Sequence, residues 1–99
     1  MAKAEVLKTA REYAAAVRKL MRTSKVFLYG SQARETATKD SDIDIAVVVD
    51  RASGDYLDTL ATLWRLADEI NDEIEPVLLL DTEDTSGFLN TVQRTGISV

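Results

Sequence analysis

The sequence predicts an α+β domain in which a small β-sheet is covered by helices, in the order α-β-α-β-α-β-α. Two observations predict this class. Segments with apolar residues at helical spacing alternate with short runs rich in β-branched residues, and turn residues separate the two kinds of segment. The 99 residues suit one domain over residues 1–99. The pattern alone leaves the strand directions open.

The composition excludes several classes of function. Apolar residues make up 45% of the chain and charged residues 29%, which is typical of a folded globular domain. The chain has no cysteine and no histidine, which excludes disulfides, thiolate sites, histidine bases and histidine-bound zinc. Any metal would therefore take oxygen ligands, as Mg²⁺, Mn²⁺ and Ca²⁺ do.

Charge and hydropathy narrow the partners and the compartment. The net charge of −5 and the lack of an evident basic face argue against a nucleic-acid groove. The longest apolar runs are far too short to span a bilayer, and the N-terminus lacks the apolar stretch of a signal peptide. We therefore expect a cytoplasmic protein. A chain this small gains stability from a partner or a homodimer.

The first half of the chain predicts a helix, a strand and a short helix. An amphipathic helix is expected over about residues 2–22, because apolar side chains recur at its helical spacing. The next run, Lys25–Tyr29, is rich in β-formers and is stopped by Gly30, which predicts a buried strand before a tight turn. A short helix follows, over about residues 31–36, and then a polar loop.

The second strand is expected over residues 42–50, and its side chains alternate between the two faces of the sheet. One face would carry Ile43, Ile45, Val47 and Val49, and the other Asp42, Asp44, Ala46 and Val48. A long helix is expected next, over about residues 55–72, with apolar residues that include Leu57, Leu63 and Trp64.

The last elements are a third strand and a final helix. The strand is expected at Ile74–Leu80, and Pro76 near its start favours an edge or a strand beginning. The helix is expected over about residues 82–94, with Thr82 as its cap and Gly96 as its stop. Its inward residues would be Phe88, Leu89 and Val92.

Three features could carry chemistry. Gly30 and Ser31 join a strand to a helix, where a backbone can approach a phosphate closely, although a routine turn explains them better when they are taken alone. Asp42 and Asp44 stand side by side on one strand face and would repel one another unless a divalent cation joins them; the alternative is a solvated strand start. Glu75 could add a third carboxylate and accept a proton, or belong to a solvated acidic helix end.

Taken together, the three features resemble a known family. Gly30-Ser31, ten residues and then Asp42-Ile43-Asp44 match the Gly-Ser-x10-Asp-x-Asp motif of the DNA polymerase beta-like nucleotidyltransferase superfamily. The stretch from Gly30 to Arg34, followed by Ser41 to Ile45, resembles the minimal nucleotidyltransferase branch. The resemblance covers essentially the whole chain. It implies the small mixed sheet of the polymerase beta palm fold.

The resemblance implies a role for each matching residue. Gly30 and Ser31 would bind the β- and γ-phosphates, and Arg34 would steady phosphate charge. The metal ligands and catalytic carboxylates would be Asp42, Asp44 and Glu75, with two Mg²⁺ ions bridged by Asp42. Glu35 departs from the family pattern, in which a glycine is common, and a carboxylate there could weaken binding of the triphosphate.

The implied activity is Mg²⁺-dependent transfer of a nucleoside monophosphate, AMP in the first instance, from ATP or another NTP to an acceptor hydroxyl. Stand-alone members resemble antitoxins that adenylylate a tyrosine of a HEPN-domain partner in prokaryotes. No acceptor-binding domain is seen in these 99 residues, so a protein acceptor bound in trans is expected. Two alternatives stay open: a non-catalytic antitoxin that neutralises its partner by contact, and a nucleotidyltransferase acting on a small molecule.

Overall fold

The fold is α+β, as the sequence predicts. The computed structural model describes residues 3–21, 25–34, 42–49, 56–81 and 87–99. Its elements are α1 Lys3–Leu20, β1 Lys25–Tyr29, α2 Ser31–Arg34, β2 Ile43–Val49, α3 Tyr56–Ile70, β3 Ile74–Leu80, α4 Phe88–Thr95 and β4 Ile97–Ser98. The predicted bounds of β1 and β3 are confirmed. None of the helices in the described ranges is long and apolar enough to cross a membrane.

The four strands form one mixed sheet in the order β3-β2-β1-β4. Strand β1 runs antiparallel to β2 and β4, and β2 runs parallel to β3. The expected edge position of the proline-containing strand is confirmed, since β3 has β2 as its neighbour at one end of the sheet. Strand β4 was not predicted from the pattern. It is two residues long, too short to show an alternation, and it forms by pairing with Phe27 and Leu28 of β1.

The two faces of the sheet are covered by different helices. The odd-numbered residues of β2 lie in the main core with α1 and α3, whereas Ala46 and Val48 pack in a smaller cluster with Leu89 and Val92 of α4. The alternation predicted for β2 is therefore confirmed. Helices α1 and α3 are joined by a buried hydrogen bond in which the Tyr13 hydroxyl donates to the carbonyl oxygen of Leu63 at 2.8 Å. Burial raises the pKa of this phenol.

The prediction that the last helix starts near residue 82 is wrong. Helix α4 begins at Phe88, directly after Gly87, whose φ of 75° lies in the left-handed region and cannot continue a right-handed helix. The proposed cap at Thr82 lies outside the described residues. Gly96 ends the helix as expected, but in an extended conformation. Leu89 and Val92 are buried as predicted, whereas Phe88 remains 37% exposed.

Candidate active site

The candidate site lies on the sheet face that carries α4, at the end where β2 and β3 begin. Asp44 and Glu75 are direct partners in the parallel pairing of these strands, so their side chains leave the sheet on the same face. Ile43 and Ile74 are the preceding partners, and both are buried in the main core on the opposite face. Val77 packs in the α4 cluster, on the same face as Glu75, because residues two apart in a strand share a face.

The carboxyl groups of Asp42 and Glu75 lie close enough to one another across the two strands to form a hydrogen bond. Asp42 directly precedes β2 and is exposed. The pKa of Glu75 is raised by desolvation, by the negative charges of Asp42 and Asp44, and by this hydrogen bond. The raised pKa of Glu75 thus reflects a local excess of negative charge at this end of the sheet, which a divalent cation would neutralise.

The third carboxylate, that of Asp44, lies against the turn at Gly30. Gly30 has a φ of 73°, and a Cβ atom there would lie 2.5 Å from Oδ2 of Asp44. Such a separation is well inside the contact distance of carbon and oxygen, so only glycine leaves room for this carboxylate. Burial and the charge of Asp42 raise the pKa of Asp44. The structure thus brings the turn and the three carboxylates together on one face.

Tyr29 belongs to the same surface, although sequence reasoning did not single it out. It is the pairing partner of Asp44 on the antiparallel side. Burial, followed by the charges of Asp44 and Glu75, raises its pKa to about 12, so its hydroxyl is protonated at neutral pH and can donate a hydrogen bond. Its ring meets Phe88 edge-on, with 5.5 Å between the ring centroids. Only the strand directions, which the pattern left open, would have revealed this position.

The remaining predicted site residues follow the turn. Helix α2 starts at Ser31, immediately after Gly30, and ends at Arg34. The side chains of Ser31 and Arg34, and all of Glu35 and Ser41, lie outside the described residues. Their predicted roles stay predictions.

Residues 12–99 match the sequence model of a protein family, Polymerase beta, Nucleotidyltransferase. The chain belongs to this nucleotidyltransferase family. The superfamily part of the resemblance is thereby confirmed, while the minimal branch and the pairing with HEPN-domain proteins stay predictions.

A solved structure shares the nucleotidyltransferase fold of this chain. The crystal structure of a candidate nucleotidyltransferase from Sulfolobus solfataricus matches 97% of this chain and 80% of its own, with a TM-score of 0.70. The sequences are 21% identical, so this likeness concerns the fold. A search of curated proteins finds no match.

The carboxylates of this nucleotidyltransferase domain fit a particular kind of metal site. Within the ranges that the structure describes, no three acidic side chains form a ready-made metal cage. Mg²⁺ is commonly held by one or two carboxylates, with waters and substrate phosphates as its other ligands. An Asp42–Glu75 pair beside Asp44, open to one side of the sheet, suits a metal that arrives with a triphosphate better than one bound permanently.

Proposed function

We propose that this chain transfers a nucleoside monophosphate from a Mg²⁺-bound NTP to an acceptor hydroxyl. The observation that carries the proposal is the contact between Asp44 and the Gly30 turn, with the carboxyl groups of Asp42 and Glu75 close beside them. A phosphate-binding turn and metal-binding carboxylates must adjoin one another, because the metal ligands and the phosphate oxygens share the same ion.

The turn and the carboxylates have separate tasks in this reaction. Gly30 has no side chain, so the triphosphate can approach its backbone closely. Asp42, Asp44 and Glu75 would hold Mg²⁺, which when bound neutralises phosphate charge and acidifies the attacking hydroxyl. The acceptor oxygen forms a bond to the α-phosphorus while the bond between that phosphorus and the bridging oxygen of the β-phosphate breaks. Pyrophosphate leaves, and the proton of the acceptor passes through Glu75 to water.

The raised pKa of Glu75 supports its role as the group that takes this proton. A general base works best when its pKa lies near the working pH, and desolvation, followed by the charges of Asp42 and Asp44, raises the pKa of Glu75 in that direction. Positioning of the substrates around the metal would provide the remaining rate enhancement, so the reaction needs no histidine.

Binding of the nucleotide should depend on the metal. The cluster of carboxylates repels a bare triphosphate, so Mg²⁺-ATP should bind at least about tenfold more tightly than ATP in EDTA. Isothermal titration calorimetry with and without Mg²⁺ measures this difference. Equal affinities under the two conditions would contradict the proposed site. Asp81→Asn is the control variant, because it removes one negative charge at an exposed position just after β3, away from the cluster. It should show the same dependence of ATP affinity on Mg²⁺ as the wild type.

The proposed acceptor is a tyrosine hydroxyl of a HEPN-type partner, with ATP as donor and AMP as the group transferred. The support is the resemblance of the Gly30–Asp44 motif to the minimal nucleotidyltransferase branch. The test incubates the chain with each α-labelled NTP and Mg²⁺, with and without a co-expressed HEPN-domain protein. Label on a partner tyrosine, lost with Asp44→Asn, supports the proposal.

Other outcomes of that experiment identify the alternatives. Neutralisation of the partner by wild type and Asp44→Asn alike, without label, would indicate a non-catalytic antitoxin. Label appearing only on added small-molecule hydroxyls would indicate a different acceptor class. Each of these results contradicts the proposed protein acceptor, and the first contradicts catalysis altogether.

A further inference from the structure

The solvent-facing side of α3 carries an apolar stripe that the proposed reaction does not use. Leu57 is 69% exposed and Trp64 is 42% exposed, and exposed Ala61 lies between them on the same side of the helix. Spacings of four and three residues place the three side chains in one line along the helix. The opposite side of α3 is buried against the core through Leu63, Leu66 and Ala67.

The stripe lies away from the candidate active site. Helix α3 packs in the main core on one face of the sheet, whereas Asp44 and Glu75 emerge on the other. Single exposed leucines are ordinary on protein surfaces, but a leucine and a tryptophan aligned along one helix are typical of a helix that packs against another. The stripe therefore needs an explanation separate from catalysis.

We propose that the stripe binds a second copy of this chain through an antiparallel α3–α3 contact centred on Ala61. A two-fold axis at Ala61 places Leu57 of each copy against Trp64 of the other. The small alanine at the centre lets the two helices approach closely, and the larger side chains fill the space on either side of it. An interface of this kind is isologous, since the same patch is used by both copies.

The charges beside the stripe favour a second copy over an unrelated partner. Asp58 and Arg65 are both exposed, and they lie on the same flank of the stripe, seven residues apart. The axis that pairs Leu57 with Trp64 also brings Asp58 of each copy to Arg65 of the other. The midpoint of the Leu57–Trp64 pair and that of the Asp58–Arg65 pair each lie about half a residue from Ala61. This offset along the helix is smaller than the rise of one residue, about 1.5 Å. A single two-fold axis therefore brings both the apolar side chains and the opposite charges of the two copies into contact, so the surface of α3 is complementary to itself.

The test is a charge-reversal cycle read by sedimentation equilibrium. Asp58→Arg and Arg65→Asp each place like charges opposite one another twice in the dimer, so each should weaken association at least about tenfold. The double variant restores opposite charges and should return to within about threefold of wild type. Arg94→Glu, an exposed reversal on α4 across the sheet, is the matched control and should leave association unchanged.

Two further measurements locate the contact. Leu57→Lys should abolish association, while circular dichroism shows that its helix content is kept. Trp64 is the only tryptophan of the chain, so its emission should shift to the blue as concentration rises, with the same midpoint as sedimentation. A chain that stays monomeric up to about 500 µM, where even a weak dimer would form, overturns the proposal. So does a dimer that survives Leu57→Lys, or a double variant that is not restored.

Discussion

Replacing Gly30 by alanine should destabilise the chain and disturb the carboxylate cluster at the same time. The φ of 73° costs an L-residue about 1–2 kcal/mol. The new Cβ would lie 2.5 Å from Oδ2 of Asp44, so the carboxylate must leave its rotamer, at a further cost of about 1 kcal/mol. A total of about 2–3 kcal/mol lowers the Tm of a domain of this size by about 10–20 °C. Differential scanning calorimetry measures the shift.

Gly87→Ala is the matched control for this experiment. Gly87 has nearly the same φ, 75°, but no atom of the residues that the structure describes lies within 4 Å of the position of its Cβ. The Gly87→Ala variant should therefore lose only the stability that the positive φ costs an L-residue, about 1–2 kcal/mol, and should keep its affinity for Mg²⁺-ATP. Gly30→Ala should lose at least about tenfold in that affinity, because Asp44 has moved. Equal losses of stability and of affinity in the two variants would refute the claim that Gly30 makes room for Asp44.

Two further predictions concern the carboxylates. The pKa of Asp44 is raised in the folded chain, so the folded state holds this proton more tightly than the unfolded state, and stability is lost as pH rises from about 4 through the folded pKa. The Tm of Asp44→Asn minus the Tm of the wild type, measured by thermal scans in EDTA, should therefore increase as pH rises from about 4 to 7. A difference that stays constant or shrinks over this range contradicts the prediction. Glu75→Gln should reduce kcat by at least about 100-fold in a label-transfer assay, with a much smaller change in Mg²⁺-ATP affinity, because a general base acts in the chemical step. A loss confined to affinity would assign Glu75 to nucleotide binding alone.

The sequence predicts those parts of the fold that have strong local patterns. The bounds of β1 and β3 follow from compact apolar runs, and the two faces of β2 follow from a strict alternation of residue types. The candidate site benefits from the same rule, because alternation puts Asp42 and Asp44 on one face. Pro76 also signals its strand correctly, since a missing amide donor is tolerated at a sheet edge.

Other features could not be predicted, because they depend on contacts between distant segments. Strand β4 has two residues and exists through its pairing with β1. The place of Tyr29 beside Asp44 depends on the antiparallel direction of β1, which no local pattern encodes. The start of α4 depends on a left-handed glycine at position 87, where the sequence alone permits either a helix or a turn. The exposure of Trp64 shows that helical spacing does not distinguish a core face from a second apolar face.

The parallel pairing of β2 and β3 has a consequence for how the chain folds. Asp44 and Glu75 meet only after the segment between them has formed α3 and crossed over the sheet, so their contact closes a long loop and should form late. A slip of one residue in this pairing would bury the Glu75 side chain and bring Ile74 to the surface of the site. The energetic cost of burying that carboxylate disfavours the misaligned pairing. The residue proposed to take the proton thus also enforces the register of the strand that carries it.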